Sequence, residues 1–79
     1  MKNREQKIKE LLARNLIPTV DIYCPDWDGS FQYYAELIEP QLGDRKNHLD
    51  EDPNNDFSDY FQALDYAIDK GFQLLKKEP

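Results

Sequence analysis

A single stripe of large apolar residues near the C-terminus constrains the fold of this 79-residue chain more than any other feature. Its members recur every three or four residues, the spacing of one helix face: Phe57, Phe61, Leu64, Ile68, Phe72 and Leu75. The stripe predicts a helix over about residues 58–77, capped by Ser58 or Asp56. Gly71 lies beside the stripe, which predicts close packing against a strand or the first helix.

A second, shorter amphipathic helix is predicted over about residues 3–15. Its apolar positions are Ile8, Leu11 and Leu12, followed by Asn15 or Leu16. Asn15 tolerates a left-handed conformation and is expected to end the helix, because Pro18 follows where a helix can no longer continue.

Between these helices the pattern predicts an antiparallel hairpin over about residues 19–38. One register gathers the apolar residues on one face, in the pairs Cys24–Phe31, Ile22–Tyr33, Val20–Ala35 and Pro18–Leu37. The same register puts the polar pairs on the other face: Tyr23–Gln32, Asp21–Tyr34 and Thr19–Glu36. Together the segments predict an α+β class, α-β-β-(β)-α, with the hairpin packed on the C-terminal amphipathic helix in one domain spanning residues 1–79.

Two structural alternatives remain open in this pattern. The segment from Phe31 to Leu42 also has apolar residues at helical spacing after Ser30, although Pro40 would interrupt such a helix. Residues 39–56 are expected to form an acidic loop. A short third strand from Arg45 to Leu49 or pairing across a homodimer would satisfy the hairpin edge.

Charge and composition restrict the partners and the compartment. The net charge is −6, and residues 15–69 hold thirteen acidic residues against Arg45 and Lys46, a balance of −11. Such a chain repels nucleic-acid phosphates, so we expect another protein with a basic surface rather than DNA or RNA. Cys24 is the only cysteine, the N-terminus is charged, and no apolar run is long enough for a membrane span. A cytoplasmic location is therefore predicted.

Catalytic and metal chemistry find little support in the residue pattern. The series Asp50, Asp52, Asn54, Asp56 imitates the start of a calcium loop, but position six is Asn55 instead of glycine and position twelve is Phe61 instead of glutamate. His48 is the only histidine, and neither serine has a histidine at a spacing typical of a triad. We therefore expect no enzyme activity, no cofactor and no metal site.

The class of residue in excess is aromatic with a polar tip, which is typical of protein interfaces. The predicted register turns Tyr23 and Tyr34 away from the core, together with Asp21 and Glu36, while Trp27 lies in the hairpin turn. Tyr66 is expected on the polar side of the last helix. The candidate interface residues are therefore Tyr23, Trp27, Tyr34, Asp21, Glu36 and Tyr66. The alternative is that these rings only cover the protein's own sheet or pack on the loop.

The order of strand, turn with Asp28 and Gly29, strand, loop and helix carrying Tyr60, Ala63, Leu64 and Ala67 resembles the small antitoxin domains of the HicB type. The family's proline and glycine motif after the second strand is absent here, and the N-terminal helix is additional. The predicted function is a small acidic protein-interaction module. The alternative is an inhibitor that mimics DNA or neutralises a toxin by binding a basic protein surface.

The incomplete calcium-loop pattern gives a first testable prediction. Millimolar calcium or zinc should leave the melting temperature of the protein unchanged relative to chelator, because an ion stabilises a fold only by binding its native state. Thermal unfolding followed by circular dichroism measures this. A reproducible rise of several degrees with one ion would contradict the prediction.

Overall fold

The computed structural model describes residues 2–24 and 29–77, and its element order is α-β-β-β-α. The elements are α1 (Arg4–Ala13), β1 (Ile17–Tyr23), β2 (Gln32–Gln41), β3 (Asp44–Asn47) and α2 (Tyr60–Lys77). This order confirms the predicted α+β class. Within the described ranges, no helix has the length and apolar character needed to cross a membrane.

The three strands form one antiparallel sheet in the order β1-β2-β3. The predicted register is confirmed along β1 and β2, where Val20 lies opposite Ala35 and Ile22 opposite Tyr33. The alternative helix over residues 31–42 is therefore wrong, which agrees with the strand preference of its adjacent aromatic residues. The ladder ends at Tyr23–Gln32, so the predicted Cys24–Phe31 pair lies just outside it.

The prediction of a loop over residues 39–56 is wrong in its first part. Strand β2 continues to Gln41, and the chain reverses at Gly43, whose φ of 78° suits a residue without a Cβ. Strand β3 then pairs with the end of β2, from Gln41–Asp44 to Ile38–Asn47. A third strand thus exists, shifted toward the N-terminus from the expected Arg45–Leu49.

Beyond β3, the free edge of β2 is completed by loop groups instead of a strand. The Asn55 side chain accepts a hydrogen bond from the Ala35 N–H at 2.5 Å and donates one to the Ala35 carbonyl at 2.7 Å. Two residues later, the backbone of Phe57 exchanges hydrogen bonds with Tyr33 at 2.9 Å in both directions. Buried backbone groups need partners, and here one side-chain amide takes the place of a peptide group.

The N-terminal helix has well-defined ends. Asn3 and Gln6 form a capping box at its start, and Asn15 adopts a φ of 64° after its end, as predicted. Leu11 is fully buried against Gly71 of α2: a Cβ built on Gly71 would lie 2.8 Å from Leu11 Cδ2. The expected close packing of Gly71 is therefore confirmed, with α1 as the neighbour. Leu12, expected on the apolar face, is 49% exposed.

The buried face of α2 is rotated relative to the predicted stripe. Its buried members are mainly small: Ala63, Leu64, Ala67, Ile68 and Gly71. Phe61 is 52% exposed, and its ring packs against the Arg4 guanidinium, 4.7 Å from the ring centroid, instead of entering the core. Phe57 lies before the start of the helix. The helix is capped by Asp59 and not by the predicted Ser58 or Asp56. The Asp59 carboxylate accepts a hydrogen bond from the Gln62 N–H at 2.9 Å.

The core lies between the two helices and one face of the sheet, and it includes Ala35 and Leu37 of β2. The helix layer does not reach the turn end of the hairpin, because α2 begins at Tyr60, whose ring meets Tyr33 edge-on at 6.2 Å. Ile22 and Phe31, predicted on the core face, are consequently 53% and 51% exposed.

The link between Asn55 and Ala35 generates a prediction about stability. Asn55→Ala should lower the free energy of unfolding by about 1–3 kcal/mol, because Ala35 is fully buried and its N–H and carbonyl would lose their partner. Urea denaturation measures the change. Asn54→Ala is the matched control, since its exposed side chain bonds nothing described, and it should stay within about 0.5 kcal/mol. Equal losses in both variants would contradict the assigned role.

Candidate interaction surface

The sheet face opposite the helices brings together four of the predicted interface residues. Asp21 lies directly opposite Tyr34, while Tyr23 and Glu36 occupy neighbouring positions on the same face. We call this group, Asp21, Tyr23, Tyr34 and Glu36, the open face. Its residues alternate with Ala35 and Leu37, which point into the core, so the two-residue period of the strands determines their placement.

The open face combines exposed and partly covered side chains. Tyr23 is 54% exposed and Asp21 is exposed, whereas Tyr34 and Glu36 are half-buried. The Tyr34 hydroxyl donates a hydrogen bond to Gln32 Oε1 at 2.9 Å, which fixes the direction of the ring along the strand. A tyrosine held in this way offers a preorganised flat surface beside two carboxylates.

A shallow cleft adjoins the open face where β3 has ended and the following loop leaves the sheet. It is lined by Asp21, Tyr34, Ala35, Glu36, Asn47, Leu49, Asp50 and Asn55. No lysine or arginine belongs to this lining, and Asp21, Glu36 and Asp50 make no ion pair with any other described residue. The cleft therefore brings three acidic side chains without an ion-pair partner together around an aromatic ring.

The wall of the cleft formed by residues 48–56 is fixed from two sides. On the sheet side, Asn47 Oδ1 accepts hydrogen bonds from the N–H groups of Leu37 at 3.2 Å and Leu49 at 3.0 Å. Asn55 provides the second attachment through Ala35. These bonds hold the carboxylate of Asp50 near the open face without placing it in a strand.

Tyr66 is not part of this surface, and its predicted position on the polar side of α2 is wrong. It is half-buried, its ring lies 5.1 Å from that of Phe57, and its hydroxyl donates to Asp52 Oδ2 at 2.5 Å. Tyr66 thus anchors the loop from the helix side. The hydrogen bond raises the pKa of Tyr66 to about 12, and it lowers the pKa of Asp52 together with a backbone bond from Asn54.

The remaining predicted interface residue, Trp27, lies outside the described residues. Sequence reasoning also missed three polar residues of the cleft: Asn47, Asp50 and Asn55. The sequence pattern places Asp50 only in an acidic loop, and no local pattern signals that Asn55 replaces a strand. Only its position two residues before an apolar Phe57 hints at an anchoring role.

Carboxylates around a tyrosine ring favour an organic cation over a metal ion. A guanidinium can bond a carboxylate at its edge while its flat face packs on an aromatic ring. In the described part of the chain, no three histidine, cysteine or acidic side chains converge in a way that could hold a metal ion. The arrangement therefore suits arginine or lysine side chains of a partner.

Comparisons with protein-family models, with curated proteins and with solved structures find no match to this chain.

The Tyr66–Asp52 bond predicts how stability depends on alkaline pH. The pKa of Tyr66 is higher in the folded protein than the ordinary value of about 10, so its contribution is complete below pH 10 and is lost as the pH rises toward 12. We expect the free energy of unfolding of wild type to fall relative to that of Tyr66→Phe across this range. Parallel pH profiles for the two proteins would contradict the assignment.

Proposed function

We propose that this protein is a small interaction module that binds a basic segment of another protein through its open face and the adjoining cleft. The observation that carries the proposal is the placement of three carboxylates, Asp21, Glu36 and Asp50, around Tyr34, none of which forms an ion pair with a described residue. Uncompensated charge at a partly covered site attracts an oppositely charged partner and orients it.

The acids elsewhere in the chain differ in their surroundings. On the helix side, Arg4 forms a two-pronged ion pair with Asp65, at 2.7 and 3.0 Å, and this bond lowers the pKa of Asp65. Lys9 pairs with Glu5 at 3.4 Å, and Lys2 pairs with Glu10. The protein thus neutralises part of its helix-side charge and leaves that of the open face available.

The proposed role is binding without catalysis in a reducing, cytoplasmic compartment. The single cysteine supports the compartment. His48 lies with its Nε2 2.8 Å from Glu39 Oε1, and it is absent from the lining of the acidic cleft. Because the histidine does not line the cleft, its position supports a surface that binds charged groups more than a site that transfers protons.

An inhibitor that mimics DNA or neutralises a toxin is the alternative, and the −11 balance of residues 15–69 favours it. A DNA mimic would present carboxylates across much of its surface in place of phosphates. It would therefore depend on helix-side acids as well as on the open face. The interaction module depends on the open face alone.

A flexible peptide of alternating arginine and glycine tests the proposal by isothermal titration calorimetry. Glu36→Gln should weaken binding roughly two- to fivefold, as expected for one partly exposed charge pair, and Tyr34→Ala should weaken it further through loss of the ring. Affinity should decrease with salt. Circular dichroism establishes that each variant is folded.

Asp69→Asn is the matched control, because Asp69 is an exposed acid on α2 that lies near Arg4 and Lys7 and does not line the cleft. It should retain wild-type affinity for the peptide. Equal weakening by Asp69→Asn and Glu36→Gln would favour the DNA-mimic alternative. Affinity capture from the native host, with wild type and Tyr34→Ala as paired baits, then identifies the partner as a protein recovered by wild type only.

A further inference from the structure

Among the described residues, the backbone groups on the outer edge of β1 have no hydrogen-bonding partner, and this edge lies beside the open face. In the described part of the sheet, β1 pairs only with β2, while β2 is paired on both sides. An open edge strand is a template for another extended chain. The hydrogen bonds of β2 show which backbone groups of β1 point toward this outer edge.

The odd-numbered residues of β2 direct their backbone groups away from β1. Tyr33 bonds Phe57, Ala35 bonds the Asn55 side chain, and Leu37 bonds Asn47 and His48. In an antiparallel ladder, residues opposite these form non-hydrogen-bonded pairs and direct their own groups outward. The partners of these three residues on β1 are Ile22, Val20 and Pro18.

The position of Pro18 agrees with this assignment. Proline has no N–H, so within a sheet it is tolerated where the missing donor would face an open edge. Pro18 therefore removes no bond between β1 and β2, and it limits the usable edge to the peptide groups of Val20 and Ile22. The neighbouring side chains Asp21 and Tyr23 are exposed and belong to the open face.

We propose that this edge binds an extended basic segment of the partner protein as a fourth strand of the sheet. The inference rests on the proposed function and specifies its mode of binding. In the added strand, every second side chain lies on the open face beside Asp21, where arginine or lysine fits. The remaining side chains lie on the helix side beside Val20 and Ile22, where apolar residues fit.

Charge decides between a basic segment and a second copy of this chain. A second copy would bring a net charge of −6 and a second set of Asp21 and Glu36 to the same sheet face. Like charges on neighbouring strands are destabilising, whereas opposite charges stabilise the pair. The edge is therefore suited to a basic partner more than to itself.

A seven-residue peptide of alternating arginine and valine, blocked at both ends, tests the inference. In antiparallel addition, the valine N–H groups face β1 and the arginine N–H groups face solvent. Methylation of the three valine nitrogens should reduce affinity at least tenfold, whereas methylation of three arginine nitrogens should leave it within about twofold. Equal affinity of the two methylated peptides would overturn the inference.

The protein side of the contact is tested by Val20→Pro, which removes one outward N–H and no bond to β2. This variant should reduce the affinity for the arginine–valine peptide at least tenfold. Its affinity for the flexible arginine–glycine peptide should stay within about threefold of the wild-type value. Because the variant could lose stability, amide hydrogen exchange on wild type provides a second measurement. Saturating peptide should slow exchange at Val20 and Ile22 at least tenfold, and unchanged rates at both would overturn the inference.

The outcomes separate this inference from the function on which it rests. One outcome is that binding of the arginine–valine peptide requires Glu36 and Tyr34 but is unaffected by either methylation pattern and by Val20→Pro. Strand addition is then wrong, and the open face still binds basic chains. If neither peptide binds wild type, both proposals are wrong. A wild-type dimer in sedimentation analysis that Val20→Pro converts to monomer would overturn the inference by assigning the edge to self-association.

Discussion

The two hydrogen bonds between the Asn55 side chain and the backbone of Ala35 are the constraint on which the acidic cleft depends. A side-chain amide carries the same donor and acceptor as a peptide group, so it can extend a ladder by one position without a strand. The loop can therefore leave the sheet after His48, whose N–H still bonds the Leu37 carbonyl, and return at Asn55. The cleft is the space created by that departure, with Asp50 on its wall.

Both helices lie on the same face of the sheet, and among the described residues no helix covers the other face. Gly71 admits Leu11 at a distance that a side chain would block, so α1 and α2 pack closely on the same face. The polar side of the alternating strands lies on that other face, where it carries Asp21, Tyr23, Tyr34 and Glu36.

Charge is divided between the two sides of the sheet in different ways. Around the helices, acidic side chains meet Arg4, Lys9, Lys2 or the hydroxyl of Tyr66. Around the cleft, the acidic residues have no such partner among the described residues. Acidic residues on the helix side therefore contribute to structure, whereas those of the cleft have no structural ion pair among the described residues.

The sequence by itself determined the α+β class, the register of β1 and β2 and the left-handed Asn15, because each follows from local spacing or from a single residue's backbone preference. It placed Asp21, Tyr23, Tyr34 and Glu36 on one face for the same reason. Only the tertiary structure decided that Tyr66 anchors a loop, that Phe61 faces Arg4, and that Asn55 completes the edge of β2. These contacts join residues distant in the chain, so no local periodicity encodes them.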